Sequence, residues 1–335
     1  MKKKIKFDFE DINLVARKCI VKSRKECDTS VKLSDFKFDL PIIPANMSTI
    51  ISKNLCIWLA QNNYFYIMHR FFDDQIEFCK EMKRLNLYIS ISIGVKKTDE
   101  NFLIELIKSD LIPDFITIDI AHGHSKAMEK MLLFVKNTFA SLKKKPFIIA
   151  GNVMTIEAIK DLSKWGANAI KFGIGPGKVC ITKLKTGFGT GGWQLNALKD
   201  VSEVAKKLNI PLILDGGVRC NGDITKSLAF GATMVMCGNL LAGHDECADA
   251  KTVEINGKKY KEYYGSASIF NKNNNSNIEG KKILVLYKGS IKDTYREIKE
   301  DLQSSISYSG GKDLSSLKEC DYVIIKGTIT NSDYR

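Results

Sequence analysis

The chain has no apolar run of about 18 residues, so no segment reads as a membrane-crossing helix. Its first residues, MKKKIKFDFED, pass from basic to acidic without an apolar stretch, which argues against a secretory signal. The nine cysteines are scattered and none forms a CxxC pair. An odd, irregular set argues against a disulfide framework and for reduced thiols in a cytoplasmic protein. No GxxxxGK[ST] phosphate loop is present. Gly187-x-Gly189-x-x-Gly192 matches a dinucleotide fingerprint in letters only, because it lacks the strand–turn–helix context. His122-x-His124 is too little for a transition-metal site and reads as loop packing. There is no internal repeat at a fixed period.

What remains is an ordinary globular composition, 44% hydrophobic over 335 residues, long enough for a substantial core. The formal charge of +13 would suit nucleic acid, but the lysines are dispersed. A basic field also suits small anionic nucleotides. Eight short apolar runs follow one another. They are PIIPANM from Pro41, YFYIM from Tyr64, YISISIG from Tyr88, FITIDIA from Phe115, FIIAGNV from Phe147, AIKFGIG from Ala169, PLILDGG from Pro211 and TMVMCGN from Thr233. Their starts lie 23, 24, 27, 32, 22, 42 and 22 residues apart. Most gaps hold an amphipathic segment, such as 156–162 and 201–208. Continuous apolar strands alternating with helices predict a parallel sheet covered by helices, here a (β/α)8 TIM barrel spanning residues 1–335 as one catalytic domain. A doubly wound sheet is the alternative.

In a barrel the chemistry sits at the carboxyl ends of the strands. Those ends carry Asn46-Met47-Ser48, His69-Arg70, Asp119 with His122, Asn152, Asp215-Gly216-Gly217 and Gly238-Asn239. The gap of 42 residues marks an enlarged loop after strand six. Residues 171–192, KFGIGPGKVCITKLKTGFGTGG, hold seven of the chain's 24 glycines and Cys180. Glycines let a ligand approach the main chain, and a cysteine on such a loop is placed to react. After strand eight, residues 246–282 turn polar and include NKNNNSN, with a hairpin expected at Asn256-Gly257. This segment predicts a mobile flap over the barrel mouth, or a disordered surface insert. An outer helix is expected over 291–306, and YVIIKG as a closing strand or arm.

Gly173-Ile-Gly-Pro-Gly-Lys-Val-Cys180-Ile-Thr182 resembles the cysteine loop of the IMP dehydrogenase/GMP reductase family. The continuation KTGFGTGGWQL is similar to bacterial-type GMP reductases in particular, and the likeness runs over residues 13–322. It implies NADPH-dependent reductive deamination of GMP to IMP in purine interconversion or salvage. Cys180 matches the nucleophile, and Thr182 with Glu279 the proton-transfer pair. Asp215, Gly216, Gly217, Gly238, Asn239, Ser266, Ala267 and Ser268 match nucleotide contacts. Asp119, Ile120, Ala121 and Arg70 match the nicotinamide side. Ser23, Arg24, Ser307, Tyr308, Ser309 and Gly310 match adenosine-phosphate contacts contributed across subunits of a homotetramer. Carbonyls of Gly175, Gly177 and Cys180 match a potassium-binding loop. Two departures stand out: Arg70 replaces the lysine that relatives can carry, and residue 276 is serine where animal reductases carry arginine nearby.

An IMP dehydrogenase that oxidises IMP with NAD is the nearest alternative. The short stretch between strands two and three leaves no room for its usual regulatory insert, and IFNKNNNSNI at 269–278 lacks an Arg-Tyr pair to activate water. A non-catalytic nucleotide- or RNA-binding protein is the distant alternative. Retention of Cys180, Thr182 and Glu279 together argues against it.

Overall fold

Seven of the eight apolar runs become strands of one parallel sheet: Ile42–Pro44, Ser90–Ile93, Phe115–Asp119, Phe147–Val153, Ala169–Phe172, Leu212–Asp215 and Met234–Cys237. These belong to a computed structural model that describes residues 6–247, 250–266, 268 and 278–325. Counted by barrel position, the spatial order is one, eight, seven, six, five, four, three. Strand one therefore lies beside strand eight, in register Ile42 to Val235, as a curled (β/α)8 sheet requires.

Position two is occupied by residues 64–68, which join strand three through a single parallel bridge, Met68 to Ile91. The shortfall has a side-chain cause. The Tyr66 hydroxyl donates to the Tyr88 carbonyl at 2.8 Å, and the Tyr88 hydroxyl donates to the Tyr64 carbonyl at 2.6 Å. Tyrosine hydroxyls thus satisfy backbone acceptors that a regular ladder would use.

The strands read as unbroken apolar runs because both faces are covered. Ile116, Ile118, Ile149, Ile170, Ile213 and Val235 are all fully buried. Helices between them start at short polar caps. Thr155 accepts from the Ala158 N–H at 3.2 Å to open Ile156–Trp165, and Gly166, at φ 112°, closes it. The helix expected at 201–208 starts earlier and spans Gln194–Lys207. Its first turn buries Leu195 and Leu198, whose periodicity is masked in the sequence by the preceding glycines.

Phe38, Phe65 and Phe115 pack at centroid distances of 5.0 and 4.8 Å near the hairpin Val31–Leu33/Phe36–Phe38, filling the amino-terminal end of the barrel. The opposite end remains open. Over it lies a three-stranded antiparallel sheet, Thr252–Ile255, Lys258–Tyr264 and Lys282–Leu286. Its turn is the expected Asn256-Gly257, with φ 50° and 73°, the mirror-image geometry tight hairpins use. The last outer helix is Ile291–Tyr308, and Tyr322–Ile324 closes antiparallel on Ile12–Leu14. Only residues 85–89 separate the helix Gln75–Arg84 from strand three.

Candidate active site

The carboxyl ends of the strands surround a cavity of about 1180 Å³. Its floor is a buried ionic network. Lys171, on strand six, is 2% exposed and places Nζ 3.0 Å from Asp119 Oδ1 and 2.8 Å from Asp215 Oδ2. Asn46 Nδ2 donates to Asp119 at 2.8 Å, and Asn152 Nδ2 donates to Asp215 at 2.7 Å. Burial alone would push the lysine to neutrality, but the two carboxylates together hold its pKa above the ordinary value. Burial likewise opposes ionisation of Asp119; Lys171, Asn46 and Arg70 outweigh it and hold the carboxyl below its ordinary range. The network therefore presents fixed charges, each with a stated partner, to whatever enters above it.

The cysteine loop crosses this floor. Gly173, at φ 124°, passes so close to strand seven that a Cβ would lie 2.6 Å from the Asp215 carbonyl oxygen. Only glycine fits there. Pro176 then rests against Gly216 and Gly217, both near φ 82°, where side chains would crowd it. Cys180 Sγ lies 3.1 Å from Thr182 Oγ1, and that hydroxyl donates to Glu279 Oε2 at 2.5 Å. Glu279 is distant in sequence but is zipped to the loop. The Ile181 N–H donates to the Glu279 carbonyl, and the Lys281 N–H to the Val179 carbonyl, both at 2.8 Å. Tyr263, 2% exposed, holds its hydroxyl over Gly238, where a Cβ would come within 2.5 Å.

Of the positions expected from sequence, Cys180, Thr182, Glu279, Asp215, Gly216, Gly217, Gly238, Asn239, Ser266, Arg70, Asp119, Ile120, Ala121, Gly175 and Gly177 all line this one cavity. Ser268 is buried beside it with its N–H on the Gly265 carbonyl, but is not part of the wall. Ala267, and the expected flap tip at 269–277, lie outside the described residues. Ser23, Arg24 and residues 307–310 lie away from the cavity, and of these Arg24 meets Tyr308. Arg24 lies 5.5 Å over the Tyr308 ring and donates to Ser304 Oγ at 3.1 Å. Ser23 caps the turn Arg24–Glu26, and Ser309 faces inward to Ser316. On the expected potassium loop, the Gly177 carbonyl already accepts the Cys180 N–H at 3.0 Å.

Sequence reasoning passed over Lys171 and Tyr263 as site residues. A lone lysine inside AIKF was the available signal, since burying an ammonium in a parallel strand requires paired carboxylates. His69 is also buried, and burial pushes its pKa down to about 4. Its Nδ1 accepts the Phe71 N–H at 3.1 Å.

Comparison with known proteins agrees with this geometry. Residues 6–332 match the family model described as IMP dehydrogenase / GMP reductase domain. A protein of Staphylococcus epidermidis (strain RP62A) named GMP reductase is 55% identical over 328 residues, 98% of each chain. One of Staphylococcus aureus (strain JH9), also named GMP reductase, is 54% identical over the same share. With the family model matched over nearly the whole length and relatives at 54% and 55% identity, the chain belongs to the IMP dehydrogenase/GMP reductase family.

Proposed function

We propose that the protein reduces GMP to IMP and ammonia with NADPH, through a thioimidate on Cys180, in purine nucleotide interconversion. The observation that carries this reading is the continuous Cys180–Thr182–Glu279 chain at the mouth of a nucleotide-sized cavity. The GMP reductase names of relatives at 54% and 55% identity support it.

The cavity exceeds the roughly 300–1,000 Å³ typical of small-ligand pockets, leaving room for a purine nucleotide beside a nicotinamide ring. Two wall residues, Asn152 and Asn239, keep buried side-chain oxygens with no hydrogen-bond partner among the described residues. An unpartnered buried acceptor costs about 1–3 kcal/mol, which ligand donors such as ribose hydroxyls or ring N–H groups would offset. Arg70 and the Asp119–Ala121 edge would hold the nicotinamide side. Asp215, fixed by Asn152 and Lys171, would accept the ribose hydroxyls.

In this reading Cys180 adds as thiolate to purine carbon 2, and the bond from that carbon to the amino nitrogen breaks. Nitrogen departs as ammonia, not amide, because the Thr182 hydroxyl delivers a proton and the Glu279 carboxyl, having taken up one of the two protons the reaction consumes, replaces it. A threonine hydroxyl alone is too weak an acid; its 2.5 Å bond to the carboxyl makes the relay. NADPH, when bound, supplies the hydride that reduces carbon 2. The carbon–sulfur bond then breaks, Cys180 leaves as thiolate, and IMP is formed. The sum consumes GMP, NADPH and two protons, and yields IMP, NADP and ammonium. The outer patch of Ser23, Arg24 and 307–310 lies away from the cavity, which fits its joining a neighbouring copy's cofactor site in a homotetramer.

The test is to incubate the protein with GMP and NADPH and to assay IMP and ammonia, with Cys180→Ala alongside. Matched formation of both products, abolished by the substitution, is expected. NADH formation from IMP and NAD, without GMP reduction, would move the assignment to IMP dehydrogenase.

A further inference from the structure

The helix Gln194–Lys207, which follows the cysteine loop, has no cap of its own. Trp193 precedes it without a side-chain cap bond, and its first turn holds no acidic residue. The cap comes from the far end of the sequence. Asp8 Oδ1 accepts the Leu195 N–H at 3.2 Å, and Asp8 Oδ2 accepts the Gly192 N–H at 3.0 Å. One carboxylate thus ties the first turn of the helix to the last residue of the glycine loop, a task that capping side chains normally perform from within. The residues after Asp8 reach the next loop of the barrel mouth. Phe9, 2% exposed, lies against Gly217, where a Cβ would meet its ring at 3.5 Å. Glu10 pairs with Arg219 on the cavity wall.

The foot of the loop at Gly192 is tied to its reactive part. Thr190, fully buried, closes the loop by donating its N–H to the Ile174 carbonyl at 2.8 Å. The Trp193 indole N–H donates to the Gly189 carbonyl at 2.9 Å. Lys183 Nζ donates to the Gly191 carbonyl at 3.0 Å, and Lys183 directly follows Thr182 in the short helix Thr182–Thr186. A shift at Gly192 is thereby passed through a few bonds to the Thr182 hydroxyl. Burial raises the Asp8 pKa, and the N–H groups of Leu195, Phe9, Gln194 and Gly192 oppose this without cancelling it. The charge is therefore held at a cost to stability. Two accepting oxygens on one short side chain account for an aspartate here better than net stability does. We propose that Asp8 is a positioning residue for the reaction, acting as a cap in trans that fixes the foot of the cysteine loop and, through it, the alignment of Cys180 and Thr182 with Glu279. The inference rests on the reductase reading above. Asp8 touches neither substrate nor cofactor in that reading, so its loss misaligns the reacting groups and leaves ground-state binding of GMP in place.

The experiment compares wild type with Asp8→Ala, Asp8→Asn and a stability control, Phe7→Leu, whose ring packs on Phe230 and Tyr322 at centroid distances of 5.7 and 5.6 Å. Steady-state kinetics with GMP and NADPH give kcat, calorimetry gives Kd for GMP, and hydrogen exchange follows the backbone of 178–186 and 190–198. In Asp8→Ala, kcat should fall about ten- to hundred-fold while Kd for GMP stays within about threefold. Loss of the cap should lower its melting temperature by about 2–4 °C. Exchange should rise in 178–186 as well as in 190–198. Asp8→Asn keeps one accepting oxygen and should show a smaller fall in the same direction; it carries the comparison if Asp8→Ala does not fold. Phe7→Leu should lose at least as much thermal stability yet keep kcat within about twofold and leave exchange in 178–186 unchanged. A rise confined to 190–198, or a loss of kcat in Phe7→Leu that matches its loss of stability, overturns the positioning role and leaves Asp8 as a helix cap alone. If wild type leaves GMP unreduced while exchange in 178–186 rises in Asp8→Ala only, the coupling of Asp8 to the cysteine loop stands and the reductase reading falls. If wild type reduces GMP and Asp8→Ala keeps kcat within about twofold, the reductase reading stands and the positioning role falls.

Discussion

The floor and the roof of the cavity are built on different principles. The floor, Asn46, Asp119, Asn152, Lys171 and Asp215, projects from parallel strands whose apolar neighbours are fully buried. Each of its two carboxylates meets one ammonium and one amide. The roof is a chain of contacts between segments far apart in sequence. Glu279 reaches Thr182 across 97 positions, held by two backbone bonds on either side of Cys180. Removing a floor charge leaves its partners buried and uncompensated, which the fold must absorb. Removing a roof group leaves the barrel intact and interrupts only the relay. On the proposed mechanism, orientation is thus vested in the part that carries stability, and proton transfer in the part that can be altered separately.

The comparison breaks first, and by the largest margin, at Glu279. Glu279→Gln keeps the hydrogen-bonding shape but cannot re-protonate Thr182. We expect kcat for GMP reduction to fall on the order of 10²–10⁴-fold. The melting temperature should stay within about 2 °C of wild type, because no buried charge is stranded. An unchanged kcat would remove Glu279 from the relay.

Lys171→Met should show the reverse pattern. It leaves Asp119 and Asp215 facing each other without a cation, a change that typically costs about 3–5 kcal/mol. The sign of its pH dependence is distinctive. Without Lys171 the buried carboxyls take up protons more readily folded than unfolded, so the variant should regain stability as pH falls from about 7 toward 5. Thermal melts of both proteins across that range test this. A deficit independent of pH would mean the loss is one of packing alone.

Where roof meets floor, Gly238 and Tyr263 offer a smaller test. A Cβ at 238 would meet the Tyr263 hydroxyl at 2.5 Å, so Gly238→Ala should push the hairpin outward. Activity should drop by about tenfold, and the double variant with Tyr263→Phe should recover part of it, a coupling of about 0.5–3 kcal/mol. Additive losses would show that the hairpin's seating on strand eight does not matter to the relay.

Most of the scaffold was legible because the apolar runs of the floor and the Asn256-Gly257 turn of the sheet above it are local signals. Strand two was read as a full strand, yet it keeps one bridge. The Tyr88 hydroxyl satisfies its Tyr64 carbonyl, and its own Tyr66 hydroxyl reaches the Tyr88 carbonyl of the next run, an exchange no period of two reveals. The roof residues Cys180, Thr182 and Glu279 were named through resemblance, and the structure brings the three into one hydrogen-bonded chain. Lys171 was missed for a physical reason. Its two carboxylates lie on strands four and seven, so nothing beside it in sequence announces an ion pair. Lys171 shares one strand with an apolar neighbour on either side, and only burial distinguishes it from an edge residue.

An effect on acid stability alone sharpens the view of the floor as the part that bears stability. His69 ends barrel position two, 3% exposed, with burial holding its pKa at about 4. Unfolded, a histidine titrates near 6.5. Between these values the unfolded chain binds a proton that the folded chain refuses, so stability is complete above about pH 6.5 and declines as pH falls toward 4. The deficit at pH 5 relative to pH 8 from this group is about 2 kcal/mol. Protonation would also cost the bond in which Nδ1 accepts the Phe71 N–H, so the neutral ring carries its hydrogen on Nε2. Denaturant unfolding of wild type and His69→Gln at pH 5 and pH 8 measures the term directly. The variant should be the less stable at pH 8 and should lose less on acidification. Equal losses in both proteins would place the acid sensitivity in the ionic network, where Asp119 is held below its ordinary range, rather than in His69.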